Sequence, residues 1–212
     1  MKIILSLIIY IFIVFSTLFA EVRMGADVVS RYVWRGSDYG NAAAIQPFIE
    51  RGMGKIIIGA WGSWSISPGM YYNSNDKEMI SESSGNECDL YVSMDVGSFG
   101  FTLTDYFFPE YNGADEFLNI NKHTIELSVK TGMGSVSILT AVNLMGGENP
   151  NSSYLELGYG AFLLGFGNGD YSVDGDFIPI SIGVNAVREN ISVSYIINPN
   201  KETSFLVFGA SF

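Results

Sequence analysis

Apolar and polar residues alternate with a period of two along most of this chain. Residues 87–96 place Cys88, Leu90, Val92, Met94 and Val96 on one face and Asp89, Tyr91, Ser93 and Asp95 on the other. Residues 123–130 place His123, Ile125, Leu127 and Val129 opposite Thr124, Glu126, Ser128 and Lys130. Residues 178–185 place Ile178, Ile180, Ile182 and Val184 opposite Pro179, Ser181, Gly183 and Asn185. This is the period of β-strands with two unlike faces, and no helical period competes with it beyond residue 20. The pattern predicts twelve strands, over 22–34, 43–51, 54–66, 87–97, 99–107, 119–131, 134–145, 152–160, 161–167, 178–187, 190–197 and 203–212.

The connections alternate in length. Six are long and polar, at 36–42, 67–86, 108–118, 146–151, 168–177 and 198–202. The intervening ones are tight: Gly52-Met53, Gly97-Ser98, Gly132-Met133, Gly160-Ala161 and Arg188-Glu189. Short periplasmic turns and longer extracellular loops on an even number of strands are the asymmetry of bacterial outer-membrane barrels. The predicted fold class is therefore all-β: an antiparallel transmembrane β-barrel of about twelve strands. A soluble β-sandwich is the alternative, but it has no reason to keep every second turn short.

Both ends of the chain fit export to the outer membrane. Lys2, an apolar stretch from Ile3 to Phe15 broken only by Ser6, and then Ser16, Thr17 and Ala20 have the layout of a secretory signal peptide. Cleavage after Ala20 leaves one barrel domain, 21–212; an uncleaved membrane anchor is the alternative. At the other end, Leu206, Phe208 and Phe212 share a face of the last strand. A strand running to the final residue needs a neighbour on each side, which barrel closure supplies. Its terminal Phe resembles the C-terminal signal read by the barrel-assembly machinery.

Composition adds two constraints. Mean hydropathy is +0.24 and aromatic residues make up 14% of the chain, yet no later apolar run is long enough for a transmembrane helix. Alternate residues must then meet lipid or a large core. The formal charge of −11, from 22 acidic and 11 basic residues, excludes a nucleic-acid partner, which needs a basic footprint. It is compatible with outer-membrane lipid and lipopolysaccharide, the latter bridged to acidic loops by divalent ions.

The polar faces supply candidate pore-lining residues: Arg23, Asp27, Arg31 and Arg35 on the first strand, Gln46 and Glu50 on the second, then Asp89, Asp95, Glu126, Lys130 and Glu156. Charged rings set pore selectivity, and a salt-bridge network filling a narrow barrel uses the same residues. Twelve strands lie between the packed eight-stranded barrel and the open sixteen-stranded one. Trp34, Trp61, Trp64, Tyr106, Phe107 and Phe108 fall at outer strand ends, as an aromatic girdle would.

Enzymatic and metal chemistry have little support. There is one His and one Cys, so neither a His cluster nor an internal disulfide can form. His123 could serve an outer-membrane lipid-modifying enzyme only with a Ser beside it, and Ser128 lies on the opposite face. Asp170, Asp174 and Asp176 lack EF-hand spacing and read as a solvated loop. No catalytic residue, metal or cofactor is assigned.

Ser30-Arg31-Tyr32-Val33-Trp34-Arg35-Gly36, followed by Ile45-Gln46-Pro47, resembles the N-terminal signature of the TorF family of bacterial outer-membrane proteins, which carries the label porin. Gly59-Ala60-Trp61-Gly62-Ser63, Leu103-Thr104-Asp105-Tyr106-Phe107-Phe108-Pro109 and Tyr154-Leu155-Glu156-Leu157-Gly158 are similar to that family as well. The resemblance implies an outer-membrane barrel and carries no substrate with it. Three functions stay open: passive diffusion of small hydrophilic solutes, a non-conducting barrel acting through its extracellular loops, and a lipid-modifying enzyme.

Overall fold

The computed structural model describes residues 22–66, 70–73, 78–81, 85–109, 117–149 and 151–212. The expected signal peptide, 1–20, and parts of the acidic loop at 67–86 lie outside these residues. Twelve strands form one closed antiparallel barrel. They are β1 (Val22–Val29), β4 (Ala44–Met53), β5 (Ile56–Ser65), β8 (Glu87–Val96), β9 (Phe99–Phe107), β10 (His123–Met133), β11 (Val136–Met145), β12 (Ser153–Tyr159), β13 (Phe162–Gly167), β14 (Ile178–Arg188), β15 (Ile191–Asn198) and β16 (Thr203–Ser211). Two hairpins lie outside the barrel sheet: β2 (Val33–Trp34) with β3 (Ser37–Asp38), and β6 (Met70–Asn73) with β7 (Glu78–Ser81).

Each strand pairs with its neighbour in the meander, and β1 closes the ring by pairing with both β4 and β16. Closure leaves no free sheet edge. At the seam the Ala26 and Phe212 backbones exchange hydrogen bonds of 3.2 and 2.9 Å. Five two-residue turns, Gly54-Lys55, Gly97-Ser98, Gly134-Ser135, Gly160-Ala161 and Glu189-Asn190, gather at one end of the barrel. All long connections emerge at the other, here termed the loop end. Three turns sit one or two residues later than the sequence pattern placed them, because the strands before them extend further.

Cross-strand register carries the alternation around the ring. Val92, Leu103, Leu127 and Val142 form a row on the outer wall. One residue along, Tyr91, Thr104, Glu126 and Asn143 form a row on the inner wall. The outer face is apolar and exposed on strand after strand: Met24 and Val28, Ile45 and Ile49, Ile56 and Ile58, Phe99 and Phe101, Ile182 and Val184, Leu206 and Phe208. A monomeric water-soluble protein seldom exposes an apolar patch beyond a few hundred Å².

Two expectations are corrected. First, β1 ends at Val29 instead of continuing to Trp34. Ser30 bridges to β16 through its amide, 2.8 Å from the Phe208 carbonyl, and through Oγ, which accepts from the Phe208 amide at 3.0 Å. The chain then turns inward as the β2–β3 hairpin, so Arg31 and Arg35 do not share a strand face with Arg23 and Asp27. Second, Ile178 and Ile180 point inward. The β13–β14 register shifts between Gly165 and Phe166, so Ile178 lies opposite Gly167 and Ser181 opposite Gly165. The extra residue of a β-bulge reverses the facing of everything before it. Ile180 is fully buried in an interior cluster with Ala141, Tyr154 and Tyr171, against which Trp34, Leu139 and Ile178 pack.

Candidate functional site

The β2–β3 hairpin crosses the lumen from β1 to the opposite wall. Its two turn residues, Arg35 and Gly36, have φ of 49° and 78°. Two positive φ values are what a type I′ turn requires. Gly accepts that conformation readily; a bulky Arg does so only when its surroundings hold it there.

Those surroundings are visible atom by atom. Arg35 Nη1 and Nη2 donate to the two oxygens of Glu126 at 2.6 and 2.9 Å, a bidentate pair in which the side chains are 8% and 2% exposed. Arg35 Nη1 also donates to the Tyr171 hydroxyl at 2.6 Å. The guanidinium carbon lies 4.2, 4.4 and 4.9 Å from the ring centres of Trp34, Tyr154 and Tyr171, which supply cation–π attraction to a desolvated charge. Glu126 is further satisfied by the Tyr106 and Tyr171 hydroxyls at 3.1 and 2.9 Å. Burial pushes the Tyr171 phenol up, Arg35 offsetting part of the effect, so its hydroxyl keeps the proton it donates. Tyr39, also on a connection, is pushed up to about 12 mainly by burial.

The backbone of the turn is held as firmly. Asn198 Nδ2 donates to the Gly36 carbonyl at 3.1 Å, while its Oδ1 accepts from the amides of Asn200 and Lys201 at 3.0 Å each. A Cβ at Gly36 would stand 2.2 Å from the Ile180 carbonyl oxygen. Arg31 pairs with Asp38 across the base of the hairpin, and Lys201 Nζ reaches Ser37 Oγ at 2.9 Å.

The hairpin divides the lumen. A cavity of about 600 Å³ opens at the loop end, walled by Tyr39, Tyr106, Asn143, Asp170 and Tyr171. A second, of about 620 Å³, lies beneath it against β1, β4, β5, β8 and β9. A third, of about 310 Å³, lies on the far side against β11 to β15. Trp34 borders all three, and Tyr106 borders the first two. The ring centres of Trp34 and Tyr106 are 5.6 Å apart, so these two side chains form the partition between the upper and lower chambers.

The remaining pore-lining candidates distribute around this partition. Arg23 pairs with Glu50 at 2.7 Å, and the Tyr91 hydroxyl donates to Glu50 at 2.6 Å. Asp27 and Asp89 line the lower chamber. Gln46 Nε2 donates to Ser63 Oγ at 3.3 Å on the inner wall. Glu156 accepts from the Tyr154 hydroxyl at 2.9 Å and lines the third cavity. Asp95 and Lys130 lie on the inner faces of β8 and β10 near the turn end, and both are exposed.

The expected aromatic girdle is corrected for most of its members. Trp34, Trp61 and Tyr106 border the lumen, not the outer wall. Phe108 stacks on Tyr39 at 6.3 Å beside the loop-end cavity. Trp64 does face outward. Phe107 also points outward but is covered by His123 and Phe117, at ring separations of 5.0 and 5.3 Å. Leu206, Phe208 and Phe212 are exposed on the outer face of the last strand.

His123 sits on the outer wall at the loop end with both ring nitrogens engaged. Nδ1 lies 2.7 Å from Asp105 Oδ1 and Nε2 lies 2.7 Å from the Phe117 carbonyl. This geometry fastens residues 117–122 to the wall. Tyr32, Glu87, Tyr154, Tyr171 and Asn198 belong to the interior network and escaped the sequence reading. The inward places of Glu87 and Tyr154 follow from strand alternation; those of Tyr171 and Asn198 depend on where connections fold back, which alternation does not encode.

Compared with protein-family models, curated proteins and solved structures, the chain matches none.

Proposed function

We propose that this protein is a bacterial outer-membrane barrel that passes small hydrophilic solutes through a lumen narrowed by the β2–β3 hairpin. One observation carries the reading: the barrel is apolar outside and charged inside, the reverse of a water-soluble barrel. An outer surface of that kind suits lipid hydrocarbon, and a lumen bearing carboxylates and guanidinium groups suits water. The secretory layout of residues 1–20 and the resemblance to the TorF family point the same way. Outer-membrane lipid would then surround the wall, with lipopolysaccharide near the loop end.

The path would run through the loop-end cavity, past Trp34 and Tyr106, and into the lower chamber. Single-channel recording of the refolded protein in a planar bilayer tests this, with Tyr106→Ala alongside. Discrete steps that grow when the partition loses the Tyr106 ring support passage by this route. A correctly folded barrel with no steps in either form refutes it. That outcome would favour a non-conducting barrel working through its loops, a reading to which the firm anchoring of the hairpin lends weight.

A further inference from the structure

We infer that the lower chamber binds small organic cations, and that these are the preferred permeants. The inference names the solute class of the proposed pore and rests on reading the lumen as a solute path.

The first argument is charge. The chamber wall carries one cation, Arg23, against three carboxylates. Arg23 is held by Glu50 at 2.7 Å, and the other two arginines of the interior are paired with Asp38 and Glu126. None of the three is left to recognise an anion. Asp27 and Asp89 have no ion pair among the described residues.

The second is an incompletely satisfied acidic pair. Glu87 and Asp89 are two apart on β8, side by side on its inner face, and only 2% and 6% exposed. Asp89 lines the chamber, and Glu87 lies next to it on the same face, toward the loop end. Glu87 Oε2 and Asp89 Oδ1 are buried with no hydrogen-bond partner. Two neighbouring carboxyl groups repel unless a proton or a cation compensates them, and buried polar atoms without partners are rare enough to need a cause.

The third is the chamber's other material. Six of its eleven lining residues are aromatic, with Tyr32 and Trp61 at 5.6 Å forming a pair of rings against the carboxylates. Aromatic faces attract organic ammonium groups, most strongly where water is displaced. A hard metal ion would want converging oxygens instead, and no three His, Cys, Asp or Glu side chains among the described residues are placed to hold one. At about 620 Å³ the chamber has the size of a small-molecule site.

The test is tryptophan fluorescence of the refolded barrel in detergent micelles, titrated with tetramethylammonium, glucose and acetate. The expected result is a saturable change with tetramethylammonium and none with glucose or acetate at equal concentration. Asp89→Asn, with Asp27→Asn as a second variant, is expected to raise the tetramethylammonium Kd about tenfold, the loss of roughly one carboxylate's attraction for the quaternary ammonium charge. A flat tetramethylammonium titration of the wild-type barrel overturns the inference without needing any variant. An equal response to glucose or acetate, or an unchanged Kd in both variants, overturns it as well. Planar-bilayer conductance, read separately, decides the pore: steps without saturable binding sink the inference alone, and selective binding without steps sinks passage but leaves the cation site standing.

Discussion

Arg35 and Glu126, 91 residues apart in the chain, meet in a two-pronged ion pair inside the barrel. The two partners are unequally insured against loss of the other. Without Arg35, the Glu126 carboxylate still accepts from the Tyr106 and Tyr171 hydroxyls. Without Glu126, the guanidinium keeps one hydroxyl acceptor and three ring faces but no counter-charge. Breaking a buried pair from one side costs about 3–5 kcal/mol, most of it from the stranded charge. Glu126→Ala is therefore expected near the top of that range and Arg35→Ala below it. The double variant should be less damaged than the sum of the singles. Guanidinium-induced unfolding in detergent micelles measures all three; strict additivity would show that the pair does not act as a unit.

Gly36 and Gly54 separate steric blockage from backbone strain. Both have positive φ, 78° and 65°. A Cβ at Gly36 would sit 2.2 Å from a backbone oxygen of β14, whereas nothing lies within 4 Å of one at Gly54. Gly54→Ala should cost about 1–2 kcal/mol, the price of the left-handed conformation for an L residue. Gly36→Ala adds a clash with a wall strand that cannot yield, so the hairpin should leave the lumen. Trypsin would then cut the folded barrel after Arg35 or Arg31, sites protected in the wild type. Equal tryptic patterns for both variants would contradict this account of how the hairpin is seated.

The barrel was legible in the sequence because outward- and lumen-facing residues alternate without interruption on strands such as β8 and β10. The hairpin was not. Residues 30–35 keep the same alternation, with Arg31, Val33 and Arg35 against Tyr32 and Trp34, so the pattern continues where the strand does not. The one local signal was Gly36 following Arg35, a turn dipeptide that also suits the start of a loop. Ile178 and Ile180 misled for a related reason: a bulge adds a residue without altering the period on either side of it. Trp34, Trp61 and Tyr106 were assigned by position along their strands, which gives height in the barrel but not the side of the wall. Interior placement of an aromatic depends on what fills the lumen opposite it, here a segment that had been read as part of the wall.

His123 predicts a local effect. Its two hydrogen bonds, to Asp105 and to the Phe117 carbonyl, fix the short turn Ile120–Lys122 and the residues before it against the outer wall. His123→Ala removes both and leaves the Asp105 carboxylate without its partner, a loss of about 1–3 kcal/mol. The loss should be confined to this connection. Hydrogen exchange of the 117–122 amides is expected to accelerate while that of β14 and β15 does not change. Uniform acceleration throughout the barrel would mean that His123 supports the global fold instead.

Leu103 offers the sharpest test of which side of the wall meets lipid. It lies at the middle of β9, 45% exposed, in an outer row with Val92 and Leu127. Its neighbour Thr102 faces the lumen opposite Ser93 and Ser128. A lysine on the lipid face near the bilayer midplane costs about 2–4 kcal/mol. The same change on a water-exposed surface stays within about 0.5 kcal/mol. Leu103→Lys should therefore destabilise the barrel in phospholipid vesicles by the larger amount, whereas Thr102→Lys can extend into the aqueous lumen at little cost. Reversible guanidinium unfolding from vesicles gives both values. If Leu103→Lys is tolerated as well as Thr102→Lys, the apolar belt does not face hydrocarbon and the membrane reading fails. If only the outward lysine is penalised, the polarity inversion read from the two faces of β9 has an energetic counterpart, and the charged interior follows as the side left for water.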